Sequence, residues 1–131
     1  MNATELSLFL LFGYLATVAI ELPVLYFALH ANHSRSERLQ AGFLLTAFTY
    51  PIVVLVMPAT ILPAFGRVVY LVVAETFAPI AEVLFFRFAT NQRCWAKPDR
   101  DAWTIVVANL LSFAVGATFL SDWLLATIRS L

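Results

Sequence analysis

A chain of 131 residues has the length of one domain, and 62% of it is apolar while only 12% is charged. Water-soluble domains are roughly 45–50% apolar and about 25% charged, so too little polar surface remains here to cover a globule of this size, in line with a mean hydropathy of +0.87. Eight basic residues balance eight acidic ones, so no nucleic-acid partner is expected, and the single cysteine, Cys94, excludes an internal disulfide or a cysteine-built metal cluster.

The N-terminal Met1-Asn2-Ala3-Thr4-Glu5 carries no basic residue, and the apolar run after it is longer than the core of a signal peptide. The first apolar segment is therefore expected to stay in the mature protein. Crossing a hydrocarbon layer of ~30 Å takes about 20 apolar residues in a helix. Four segments meet that length, at about 6–29, 39–62, 68–88 and 102–128. The expectation is an all-α integral membrane four-helix bundle formed by residues 1–131 as one domain, with the lipid bilayer as solvent.

In the first span, Gly13, Thr17, Glu21 and Ala28 share one face. A loop of residues 30–38 follows. The second span offers Gly42, Thr46, Thr49 and Tyr50 on one face, and a tight turn through Pro63-Ala64-Phe65-Gly66-Arg67 leads into the third. There Glu75, Ala78, Pro79 and Glu82 form the polar stripe, with the two glutamates seven residues apart. After a second loop at 89–101 the fourth span brings Asn109, Ser112 and Gly116. It is framed by Trp103 and Trp123, whose separation of twenty residues corresponds to ~30 Å of helix. Small residues on these faces allow close packing of helices.

Arg35, Arg38, Arg87, Arg93, Lys97 and Arg100 lie in or beside the two loops, against Arg67 and Arg129 at the opposite ends. The positive-inside rule then makes loops 30–38 and 89–101 cytoplasmic and places both termini on the outer side. The loop acids Glu37, Asp99 and Asp101 are expected to keep that surface solvated. Glu21 and Glu82 each begin a run of similar length towards a loop, and Thr46 and Asn109 follow at comparable depth. Two helix-hairpin repeats related by an axis along the membrane normal would produce that pattern.

Glu21, Glu82, Asn109 and Thr46 or Thr49 fall ~10–14 Å from the loop ends, counting 1.5 Å per residue. Glu75 lies farther towards the outside. A charged side chain near the centre of a bilayer costs roughly 2.5–3.5 kcal/mol even on lenient scales, so such groups usually face the interior and serve function. No Lys or Arg stands at their depth in the sequence. Pro23, Pro51 and Pro79 remove backbone donors and would free the carbonyls of Ala19, Ala47 and Glu75 beside them. A carboxylate so placed can keep its proton, bind a cation, or meet a basic group of another chain. Alternatively it hydrogen-bonds to Thr46, Thr49 or Asn109 as part of the packing.

No catalytic constellation emerges. His30 and His33 sit at a loop, where haem or metal ligation is not expected, and no nucleophile–base pair or phosphate loop is present. No cofactor is expected. Glu21, Glu75, Glu82, Asn109, Thr46, Thr49, Tyr50 and Ser112 are the candidate ion, proton or substrate residues. The expected function is a proton- or cation-coupled transporter or a component of one, completed by a homo-oligomer or a partner membrane protein. A non-catalytic subunit or assembly factor is the alternative, and an intramembrane enzyme ranks third.

Overall fold

A computed structural model describes residues 3–90 and 99–116. The second half of the expected fourth span, Trp123, and the basic residues Arg93, Lys97 and Arg129 lie outside the described residues. Within them the fold is helical without strands. Helix α1 spans Ala3–Ala28, α2 spans Arg35–Pro51, α3 spans Met57–Ala89 and α4 spans Arg100–Val115. A π-helical turn, Ile52–Val56, joins α2 to α3 directly after Pro51. Pro58, just beyond the turn, supplies no backbone donor for the carbonyl of Val54 within it, so the ordinary hydrogen-bond ladder is broken at this place.

Helix α3 is interrupted at Gly66, whose φ of 78° and ψ of 175° lie outside the helical region and suit glycine alone. The chain reverses there. Thr49 consequently meets Glu82, and the Tyr70 hydroxyl donates to the carbonyl of Val53 in the π-helical turn. Residues 35–65 and 67–89 thus form an antiparallel pair. Helix α1 packs on α2 and α4, and α3 packs on α2, the π-helical turn and α4, so the contacts close into a ring.

The helices begin earlier than the apolar pattern alone suggests, because their starts are set by caps. Ser34 accepts from the Glu37 backbone, and Glu37 accepts from the Ser34 backbone at 2.6 Å, a capping box that starts α2 at Arg35. The bond from the Ser34 backbone, followed by that from its side chain, holds the Glu37 carboxyl below the usual carboxylate range. Asp99 caps α4 by accepting from Ala102 at 3.0 Å.

Two of the small residues on the expected faces serve packing. A Cβ on Gly42 would stand 3.0–3.1 Å from the Cα, Cβ and Cγ of Leu22, so α1 and α2 meet backbone to backbone at this point. A Cβ on Gly13 would collide with the Tyr50 hydroxyl. Gly42→Ala is expected to cost about 1–2 kcal/mol, because a backbone contact must open by a few tenths of an ångström. Equilibrium unfolding in lipid bicelles measures it. Wild-type stability in this variant would mean that the two helices are not held at this separation.

Candidate functional site

The polar faces of the helices converge on one layer. Glu21 of α1 is 2% exposed and Glu82 of α3 is 1% exposed. Each carboxylate oxygen has one donor. Thr46 donates to Glu21 Oε2 at 2.7 Å and Ser112 to Glu21 Oε1 at 2.5 Å. Thr49 donates to Glu82 Oε1 at 2.6 Å and Asn109 Nδ2 to Glu82 Oε2 at 2.7 Å. Thr46 and Thr49 are one turn apart on α2, as are Asn109 and Ser112 on α4. Each helix of that pair therefore serves both carboxylates. All four donors are neutral.

The donors differ in what they can do next. A hydroxyl carries one proton, and each of these three hydroxyls has a second acceptor in its own helix. These are Gly42 O for Thr46 at 3.2 Å, Leu45 O for Thr49 at 3.1 Å and Asn109 O for Ser112 at 2.9 Å. When its carboxylate gains a proton, such a hydroxyl turns to the backbone and accepts from the new carboxyl O–H, so no bond is lost. Asn109 instead donates from Nδ2 to Glu82 and also to Ile105 O at 3.1 Å, and an amide N–H cannot reverse. Both partners of Glu21 are reversible, whereas Glu82 keeps one fixed donor. A protonated carboxyl needs one acceptor for its O–H and one donor to its C=O, and Thr49 with Asn109 offers this to Glu82 as fully as Thr46 with Ser112 offers it to Glu21.

The two sides of this layer are unlike. Towards the 29–34 loop lies an apolar layer that includes Leu25, Leu29, Leu45, Phe86, Ile105 and Ala108, all at most 4% exposed. Towards Gly66 lies a cavity of about 350 Å³ that Glu21, Glu82, Thr46, Thr49, Asn109 and Ser112 line at its inner end. Tyr50 and Glu75 stand farther along it, and the exposed Arg67 stands at its rim. From Glu82 to Arg67 the helix runs for fifteen residues, or ~22 Å. All eight residues singled out from the sequence thus line one cavity, six of them in the hydrogen-bonded layer and Tyr50 and Glu75 above it.

The loop end is more ordered than the sequence suggests. Asp101 is 6% exposed and accepts from the His30 backbone at 2.7 Å, with His33 Nε2 at 2.9 Å. This corrects the expectation that Asp101 keeps a solvated surface. Asp101 and the histidines tie the α1–α2 loop to the start of α4, and sequence separations of 68 and 71 conceal the contact. Arg38 donates to the carbonyls of Tyr26 at 2.8 Å, His30 at 3.1 Å and His33 at 3.1 Å, while Arg100 donates to Ala28 O at 2.9 Å. Tyr26 and Ala28 carry carbonyls of the last turn of α1, at the negative end of its dipole, and those of His30 and His33 belong to the loop beyond it. Arg87, near the loop end of α3, is buried and reaches Asp99 at 3.5 Å, on the side away from the carboxylate layer. No cluster of His, Cys, Asp and Glu placed to hold a metal occurs among the described residues.

No protein-family model, curated protein or solved structure matches the chain.

Proposed function

We propose that this chain is a multi-pass membrane protein, a bundle of four helices built from two helix hairpins, that works as a proton- or cation-coupled transporter or as a component of one. Helix α1 and the segment Arg35–Ala89 are long and apolar enough to cross a membrane, and only 17% and 6% of their most apolar windows are buried. Their apolar side chains face outward, as lipid-facing helices require and as core helices of a water-soluble domain do not. The excess of basic residues at the loop end supports a cytoplasmic side for loops 30–38 and 89–101. The cavity then extends towards the outer side.

The observation that carries the reading is the layer of Glu21 and Glu82, placed between a cavity on one side and an apolar layer on the other. A coupling site needs an ionisable group reachable from one side at a time, with partners that tolerate both of its protonation states. Glu21 has such partners in Thr46 and Ser112. Glu82 has them in Thr49 and Asn109, and both acids are assigned as groups that alternate between protonated and loaded states. The alternative, a subunit whose acids pair with basic residues of another chain, is less well supported, since every oxygen of these two carboxylates already has a donor from within.

Proteoliposomes with a lumenal pH dye test this reading, with a panel of inorganic and organic monovalent cations added outside. Wild-type protein is expected to exchange at least one of them for protons. Glu21→Gln, which keeps shape and loses the titrating group, is expected to lower that exchange at least tenfold. Wild-type vesicles no more active than empty ones, or full exchange in both Glu21→Gln and Glu82→Gln, would overturn the assignment.

A further inference from the structure

The proposed function leaves one carboxylate unused. Glu75 lines the cavity above the Glu21–Glu82 layer and is partly buried, and among the described residues no side chain donates a hydrogen bond to it. Around it the cavity changes character. Tyr50, Tyr70 and Phe113 line it together with Val53, Val54 and Leu71. The phenol of Tyr70 is occupied with Val53 O at 3.2 Å, and that of Tyr50 is wedged against Gly13. What remains towards the cavity is aromatic and aliphatic surface around a single free acid.

We infer that this upper part of the cavity is a binding site for an organic monovalent cation, an ammonium group on an apolar body, with Glu75 as its counter-charge and Tyr50, Tyr70 and Phe113 around the charged head. The inference rests on the transport reading above and names its substrate class. Among the described residues three carboxylates line the cavity against one arginine at the rim, a balance that favours positive ligands. An ammonium group flanked by aromatic rings gains further attraction from them once it has left water. The cavity as a whole, about 350 Å³, is on the scale of small-molecule sites and far larger than a bare ion needs.

Neighbouring ligand classes fit less well. Calcium takes six to eight oxygen ligands, yet the oxygens of Glu21 and Glu82 are held by their own donors and Glu75 is left alone. A small zwitterion would need an acid and a base a few ångströms apart. Arg67 precedes Glu75 by eight residues of α3, ~12 Å along the axis, and is exposed at the rim.

The test is equilibrium dialysis of labelled benzyltrimethylammonium against the full chain in lipid nanodiscs. Wild-type protein is expected to bind it saturably. Neopentylbenzene, the neutral isostere, is expected not to displace it, whereas unlabelled benzyltrimethylammonium displaces it fully. Glu75→Gln is expected to weaken binding at least tenfold, while Glu37→Gln, at the exposed start of α2, leaves it unchanged. Absence of saturable binding, displacement by the neutral isostere, or wild-type affinity in Glu75→Gln overturns the inference. The isostere comparison needs no variant, so it stands even where Glu75→Gln folds poorly. Binding without proton exchange would retain this site and refute the transport reading. Proton exchange with an inorganic cation, without binding of the probe, would do the reverse.

Discussion

Ile105→Asn is expected to have the largest effect on both the stability of the protein and the tightness of its bilayer. Ile105 is 0% exposed at the centre of the apolar layer between the carboxylates and the loop end. The substitution removes packing that costs about 2–5 kcal/mol when a large aliphatic side chain is truncated. It also buries an amide without a partner, a penalty of about 1–3 kcal/mol. A combined loss on the order of 3–8 kcal/mol follows from those two terms. Ile105→Val, which shortens the side chain by one carbon, is expected to cost about 1 kcal/mol.

In vesicles the same change places a polar group where the path from Glu21 towards the cytoplasm is otherwise apolar. An imposed pH gradient is expected to decay faster with Ile105→Asn than with wild-type protein, before any cation is added. The Val variant should hold the gradient. A tight vesicle with the Asn variant, correctly inserted, would mean that this layer does not seal the inner side.

Arg38→Met is the second large effect. One guanidinium closes three carbonyls, that of Tyr26 in the last turn of α1, where the helix dipole is negative, and those of His30 and His33 in the loop that follows. Hydrogen bonds to charged groups contribute about 1.5–3 kcal/mol each. Arg38 is only partly buried, so water takes up part of what the substitution releases, and a net loss of about 2–3 kcal/mol is expected. Lysine at this position has a single nitrogen and cannot reach three separate acceptors, so Arg38→Lys should recover less than half of the loss. Unfolding in bicelles gives the magnitude, and amide exchange at residues 29–33 should rise most. A Met variant within 0.5 kcal/mol of wild type, on the scale of an ordinary surface change, would show that the contacts add nothing.

The polar layer was legible because helical geometry is a fixed ruler. Glu21 and Glu82 stand at equal distances from the loops, and Thr46, Thr49, Asn109 and Ser112 repeat at the spacing of one helix face. Depth and face together bring these groups into a single layer once the helices pack. The glycines at 13 and 42 were readable as close approaches for the same reason, although the sequence does not say which neighbour each admits.

The loop end was not legible. Asp101 meets His33 only because two loops fold over the same end of the helices, and no periodicity records a contact between residues 68 apart. Loop acids were read as solvated since most are, which held for the exposed Asp99 and failed for Asp101. The π-helical turn after Pro51 was also hidden. Proline announces a missing donor, but whether the ladder kinks, frays or widens depends on packing that no local pattern contains. Tyr50 was placed on the right face without any sign that its hydroxyl would rest on Gly13.

The crossed arrangement of donors has a mechanical meaning. Residues 3–65 carry Glu21 with Thr46 and Thr49, while residues 67–116 carry Glu82 with Asn109 and Ser112. Thr46 and Asn109 serve the acid of their own half, whereas Thr49 and Ser112 reach across to the other. A tilt of one half against the other would break the two crossing bonds together and leave each acid holding a single tether. The halves are thus latched by a matched pair of hooks, Thr49 on Glu82 and Ser112 on Glu21, and because each hook is a hydroxyl that can give or take a proton, the latch holds whichever form its acid is in.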